Sequence, residues 1–327
     1  MDQITALIQV AVAFGTVIMF GCTGEILTEK SGNLNLGIPG VMYLGGIASL
    51  AGVFFYENAV ETPNMIICVL IAFICAFAAG ALGGFIYSFL TITLRANQNV
   101  TGLTLTIFGG GIANFFGGSL NKLAGGVGQI SVATTSAAFR TTIPGLSEIP
   151  YVGQILFSYG GLVYLAIVVA VVMQYFLNKT GKGLNLRAVG ENPSTADAAG
   201  INVTRYKYFA TCIGCGIAGL GGLFYVMDYT KGTWANDGTI ETLGWLAVAL
   251  VIFTTWKPKN AIWGSYLFGV LYWVYLYISG LTRSTQPLFK MLPYVVTIIV
   301  LIFISAKKKK EYQPPEHLGL PYFREER

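Results

Sequence analysis

Charge is what this sequence has least of. Only 11% of the 327 residues are Asp, Glu, Lys or Arg, against about a quarter in a soluble globular domain. A chain so poor in charge cannot dress a water-facing surface of ordinary size. Histidine is nearly absent too: His317 is the only one, so no histidine-based triad or zinc cluster can form among the apolar segments. No G-x-x-x-x-G-K-[ST] stretch occurs, and this excludes a P-loop for ATP on this chain. The five cysteines (Cys22, Cys68, Cys75, Cys212, Cys215) all lie in apolar stretches and read as small buried residues. The Cys212/Cys215 pair has no second ligand pair beside it.

What remains is mostly apolar. Hydrophobic residues make up 54% of the chain, mean hydropathy is +0.64, and there are 41 glycines and 21 phenylalanines. Runs near 20 apolar residues read as membrane helices. Nine are expected, within a range of eight to ten: 4–22, 36–54, 64–90, 99–120, 155–177, 208–226, 240–256, 260–280 and 288–305. The runs 36–54 and 240–256 are short enough to be re-entrant or broken. The first lacks a basic leader and reads as a retained helix. The fold class is therefore an all-α polytopic membrane protein. Residues 1–306 form its transmembrane domain and 307–327 a tail.

The basic residues set an orientation. With Lys307–Lys310 in the cytoplasm and the spans alternating backwards, 15 of the 20 Lys and Arg fall inside and 5 outside. The N-terminus is then outside, the C-terminus and the 178–207 connection inside. Four spans precede 155–177 and four follow with opposite starting sides, the parity of an inverted repeat. Ionisable residues are scarce in the expected spans; Glu241 and Lys290 lie near ends. An ion-coupled carrier would hold a carboxylate at mid-membrane, and none is expected there. Gly214, Gly216 and Gly219 match G-x-G-x-x-G inside an apolar run and read as helix packing, not a nucleotide loop. The polar neutral residues Asn99 and Asn114 could line a pathway, or could bond neighbouring helices and cap a helix start.

Two stretches are more specific. One runs Leu27-Thr28-Glu29-Lys30-Ser31-Gly32-Asn33-Leu34-Asn35-Leu36-Gly37-Ile38-Pro39-Gly40-Val41-Met42. The other is Gly183-Leu184-Asn185-Leu186-Arg187-Ala188-Val189-Gly190-Glu191-Asn192-Pro193, continued by Ala196, Ala199, Gly200 and Ile201. In the second, Asn192 reads as an N-cap with Pro193 at the first helical position, and Gly200 as the stop. Together they resemble permease subunits of ABC importers of the ribose and branched-chain amino acid group, above all the nucleoside branch served by a basic-membrane-protein-type lipoprotein. Further likeness runs through Ile143-Pro144-Gly145-Leu146, Gly244–Leu250, Leu292-Pro293-Tyr294 and Leu318-Gly319-Leu320-Pro321-Tyr322.

That resemblance implies a type II importer-like permease in a bacterial plasma membrane, forming half of a translocation pathway. Its partners would be a second permease, a separate ABC ATPase, a substrate-binding lipoprotein and membrane lipid, with no nucleic acid. It implies no catalysis and no cofactor on this chain, ATP and Mg being expected on the ATPase. It places a coupling helix at Gly190, Glu191, Asn192, Pro193, Ala196, Ala199 and Gly200. Nucleosides are the expected solute; ribose, other sugars, branched-chain amino acids or a self-sufficient carrier are the alternatives. The segment Asn33–Gly40 reads either as a broken entry beside the pathway, with Asn33 and Asn35 lining it, or as a tight turn.

Overall fold

The computed structural model describes residues 2–123, 126, 130–142, 145, 147, 149, 152–278, 283–307 and 312–324. The Ile143-Pro144 pair, Leu146, Lys308–Lys310 and Arg327 lie outside the described residues. Everything regular among the described residues is helical: α1 (Asp2–Glu29), α2 (Ile38–Ala59), α3 (Met65–Ser88), α4 (Gln98–Leu123), α5 (Ala133–Phe139), α6 (Val152–Leu156), α7 (Gly161–Lys179), α8 (Gly181–Glu191), α9 (Pro193–Ala198), α10 (Val203–Phe224), α11 (Thr239–Phe253), α12 (Pro258–Trp273), α13 (Gln286–Lys290) and α14 (Leu292–Lys307). Six helical stretches are long and apolar enough to cross a membrane: α1, α2, α3, α4, α7 and α10.

Each expected span contains a helix, but several boundaries move. α1 runs past 22 to Glu29: Thr23–Glu29 contains no proline, and its one glycine, Gly24, is held against the Gly214 backbone of α10. The 36–54 run is no fragment: α2 extends unbroken through 22 residues. The 155–177 run is divided, with α6 ending at Leu156 and α7 starting at Gly161. The 15-residue α11 rises about 22 Å, short of the roughly 30 Å hydrocarbon core.

α10 is the axis, and its glycines explain why. Beads of a side chain at Gly214, Gly219 or Gly222 would enter the backbone of α1, α3 or α2 respectively. The motif Gly214/Gly216/Gly219 therefore serves close helix packing. The pairing of Ala76 and Gly80 with Gly219, and of Gly84 with Thr211, runs α3 antiparallel to α10.

These two helices also end alike. α3 widens into a π turn, Phe89–Thr93, and α10 into another, Tyr225–Tyr229. In each, one amide reaches back five residues (Leu94 to Phe89, Thr230 to Tyr225) and another six (Ala96 to Leu90, Gly232 to Val226). Each turn is closed by a basic residue at positive φ, Arg95 (57°) and Lys231 (56°). Two antiparallel helices thus carry the same terminator at their C-terminal ends.

Gly45 tests the packing. A Cβ there would meet the Gly219 backbone, whereas Gly111 faces open space. Gly45→Val should destabilise the folded protein in detergent by about 1–3 kcal/mol or more, and Gly111→Ala should leave the melting temperature nearly unchanged. Equal melting of the two variants contradicts the close α2–α10 contact.

Candidate functional site

The chain leaves α1 at Glu29 and enters α2 at Ile38. Between them the backbone is not helical, yet Ser31, Asn33 and Asn35 are fully buried. Buried amides and carbonyls need partners; side chains of α1, α3 and α4 take backbone groups of the loop, and α10 takes the side chains of Asn33 and Asn35. Tyr87 on α3 donates its hydroxyl to the Leu34 carbonyl at 2.5 Å. Gln98 and Thr106 on α4 take the Leu34 amide (2.7 Å) and cap the Leu36 carbonyl (3.0 Å). The Asn33 side chain donates to Thr211 on α10 at 2.9 Å, and that of Asn35 to the Cys215 sulfur at 3.2 Å. Asn35 Oδ1 accepts from the Gly37 amide at 2.9 Å and starts α2.

Two carboxylates complete this knot. Glu25 Oε1 accepts from the Asn35 amide at 3.0 Å, and Glu29 Oε2 accepts from the indole of Trp256, in the α11–α12 turn. Both glutamates are enclosed. Ending the first span at 22 left both outside it; they lie in the last turns of α1, at the end of the span and not at its middle. Glu29 is thus bonded to Trp256 and Glu25 to the loop backbone.

The 178–207 connection is more helical than its sequence suggested. α8 is capped by the Thr180 hydroxyl, which accepts from the Gly183 amide at 3.0 Å. α9 starts as its sequence predicts, with Asn192 Oδ1 accepting from the Thr195 amide at 2.9 Å and Pro193 in the first turn. Gly200, at φ +83°, ends it.

The candidate coupling residues divide by exposure. Gly190, Pro193 and Ala196 are buried: Gly190 lies against the Lys30 carbonyl, and Ala196 packs with Val189 and Val203. Asn192, Ala199 and Gly200 are exposed, and Glu191 is half-buried. Glu191 stands near Lys30, whose ammonium burial pushes below its ordinary value while the carboxylate holds it up.

The tail ties these pieces together. The His317 amide donates to the Gly190 carbonyl at 3.1 Å, and the Gly319 amide to the Gly32 carbonyl at 3.2 Å. Tyr322 donates to Asp197 of α9 at 3.0 Å, and the Arg95 guanidinium lies 4.5 Å from the Phe323 ring centre. Burial, and then the nearby Lys207, push the His317 imidazole below its ordinary value. Lys30, Arg187 and Lys257 border one cavity here, and Arg95, Arg205, Lys207 and Arg324 another. Seven of the cations counted as inside thus share one end of the bundle.

The pathway candidates are not brought together. Asn33 and Asn35 belong to the knot, Asn99 is exposed at the start of α4, and Asn114 Oδ1 accepts from the Trp234 indole at 3.3 Å. Sequence reasoning missed Glu25, Glu29, Trp256, Tyr87 and the tail contacts. The one legible signal was Glu25 and Glu29 spaced four apart at the close of an apolar helix.

Six long apolar helices around a buried irregular loop define a multi-pass membrane protein. The chain belongs to the branched-chain amino acid transport system permease component family, whose model matches residues 6–301. Among its relatives, the nucleoside ABC transporter permease protein NupC of Lactococcus lactis subsp. cremoris is 33% identical over 90% of each chain. TsgC13 of Haloferax volcanii, provisionally named a glucose ABC transporter permease, is 32% identical over 88% of this chain and 82% of its own. The guanosine ABC transporter permease protein NupQ of Bacillus subtilis is 29% identical over 99% of this chain and 98% of its own. No solved structure matches the chain.

The knot makes a sharp prediction. Tyr87→Phe removes one hydroxyl and strands the Leu34 carbonyl, which should cost about 1–3 kcal/mol in detergent unfolding. Tyr175→Phe, at an exposed position, should cost almost nothing. A Tyr87→Phe variant as stable as the wild type would show that the carbonyl has another partner.

Proposed function

We propose that this chain is the permease subunit of an ATP-driven ABC importer for nucleosides. The observation that carries this is the likeness to NupQ across 98% of that protein and to NupC across 90%. A second reading, a sugar, is favoured by the 32% identity to TsgC13. In the nucleoside reading a sister permease supplies the other half of the pathway, and a substrate-binding lipoprotein delivers solute from outside. The basic end faces the cytoplasm, where an ATPase binds ATP and Mg.

The coupling role falls on α8 and α9. The exposed side of α9, with Asn192, Ala199 and Gly200, is free to dock on the ATPase. Gly190, Pro193 and Ala196 seat the helix on the permease. A short helix held this rigidly can pass ATPase closure to α7 and α10 as a rigid-body movement.

Ser194 and Ala198 are exposed on α9. Ser194→Arg with Ala198→Arg should lower ATP-driven guanosine uptake by about tenfold or more, a loss of roughly 1.4 kcal/mol in coupling, with the chain still folded and in the membrane. Uptake at the wild-type level would remove α9 from the coupling role. Uptake competed by glucose and not by guanosine would favour the sugar reading.

A further inference from the structure

A cavity of about 820 Å³ opens at the basic end between the last turns of α3, the first turns of α10 and the tail. Its two halves differ in chemistry. One wall is cationic, formed by Arg95, Arg205, Lys207 and Arg324; the other includes Phe85 and Phe209, both about half exposed on the outer faces of α3 and α10.

Lys207 is the anomaly. The residue is 3% exposed and lines the cavity, so its stem is buried while its ammonium opens onto the cavity, and no described residue gives it a carboxylate or a hydrogen bond. An ammonium held without a counter-charge at the wall of a partly desolvated cavity favours an anion. The other cations do not relieve it. Arg95 lies over Phe323 and Arg205 over Phe209, while Arg324 is paired with Asp197 at 3.2 Å. The amide oxygen of Asn33, also on the cavity wall, is a buried acceptor without a partner. Three further cations around an unpaired one call for an anion. An apolar wall continuous with the membrane-facing surface calls for an amphiphile.

We infer that this cavity binds the headgroup of an anionic phospholipid, its phosphate on Lys207 and its chains along Phe85 and Phe209. Basic pockets between membrane helices select anionic headgroups in this way. A phosphate oxygen would supply the charge that Lys207 lacks, with Arg95 and Arg205 at the mouth. The lipid would then sit between α3 and α10, touching both the tail and the residues that follow α9.

The test uses the full chain reconstituted in phosphatidylcholine vesicles with or without phosphatidylglycerol, extracted gently, with retained lipid read by native mass spectrometry. Wild-type protein should keep phosphatidylglycerol in preference to phosphatidylcholine. Lys207→Met should retain roughly tenfold less or lower still. Lys259→Met, an exposed cation at the same end and off the cavity, should match the wild type. If Lys207→Met does not fold, Arg95→Gln at the mouth serves, with reduced retention expected.

Equal retention by wild type and variants overturns the proposal. Displacement of the bound species by inorganic phosphate would make the occupant a soluble anion and overturn the lipid assignment. Unchanged lipid retention in Lys207→Met with loss of ATPase association would assign Lys207 to a protein carboxylate instead. Lysine bridged by water alone predicts no lipid selectivity.

Discussion

The structure depends on satisfying a short run of non-helical backbone at the edge of the membrane. Residues 30–37 connect α1 to α2, and most of them are buried. In such a place irregular backbone survives only if protein groups replace water. Here the backbone partners come from α1, α3, α4 and the tail, and the loop's asparagine side chains bond α10, so one loop fixes the mutual positions of several helices. Two carboxylates are enclosed for the same reason: each accepts a donor that would otherwise be orphaned.

This knot also joins the parts that would have to move together. Gly190 of α8 rests on the Lys30 carbonyl, and the tail bonds both Gly190 and Gly32. A push on α8 and α9 therefore reaches the α1–α2 loop directly, without passing along a flexible connection. From the loop it reaches α10 through Thr211 and Cys215, and α3 through Tyr87. The glycines of α10 let these helices approach closely and leave little slack between them, so displacement passes as rigid motion.

Much of this was legible in the sequence. Apolar run length located the long apolar helices, and the Asn192-Pro193 cap and the Gly200 stop located α9 to within one residue, while α8 went unread. The scarcity of charge and the asymmetry of Lys and Arg gave the fold class and collected cations that share one end. The rest was hidden for physical reasons. Hydropathy ends a helix where charge begins, so Glu25 and Glu29 fell outside α1 although helical propensity continues through them. Asparagine in an apolar setting serves a pathway, a cap or a packed knot equally well, and only the partners of Asn33, Asn35 and Asn114 decide. No docking partner for the tail was legible, because its contacts rest on backbone amides at His317 and Gly319 that composition does not reveal.

The contact of Gly190 with the Lys30 carbonyl is the joint on which the account turns. A side chain there would enter the carbonyl oxygen and lift α8 from the loop. The decisive measurement is the number of ATP molecules hydrolysed per solute imported by the reconstituted complex carrying Gly190→Ala. The account predicts that the complex assembles and hydrolyses ATP while this ratio rises severalfold. An assembled complex with an unchanged ratio would contradict it and place the coupling joint elsewhere.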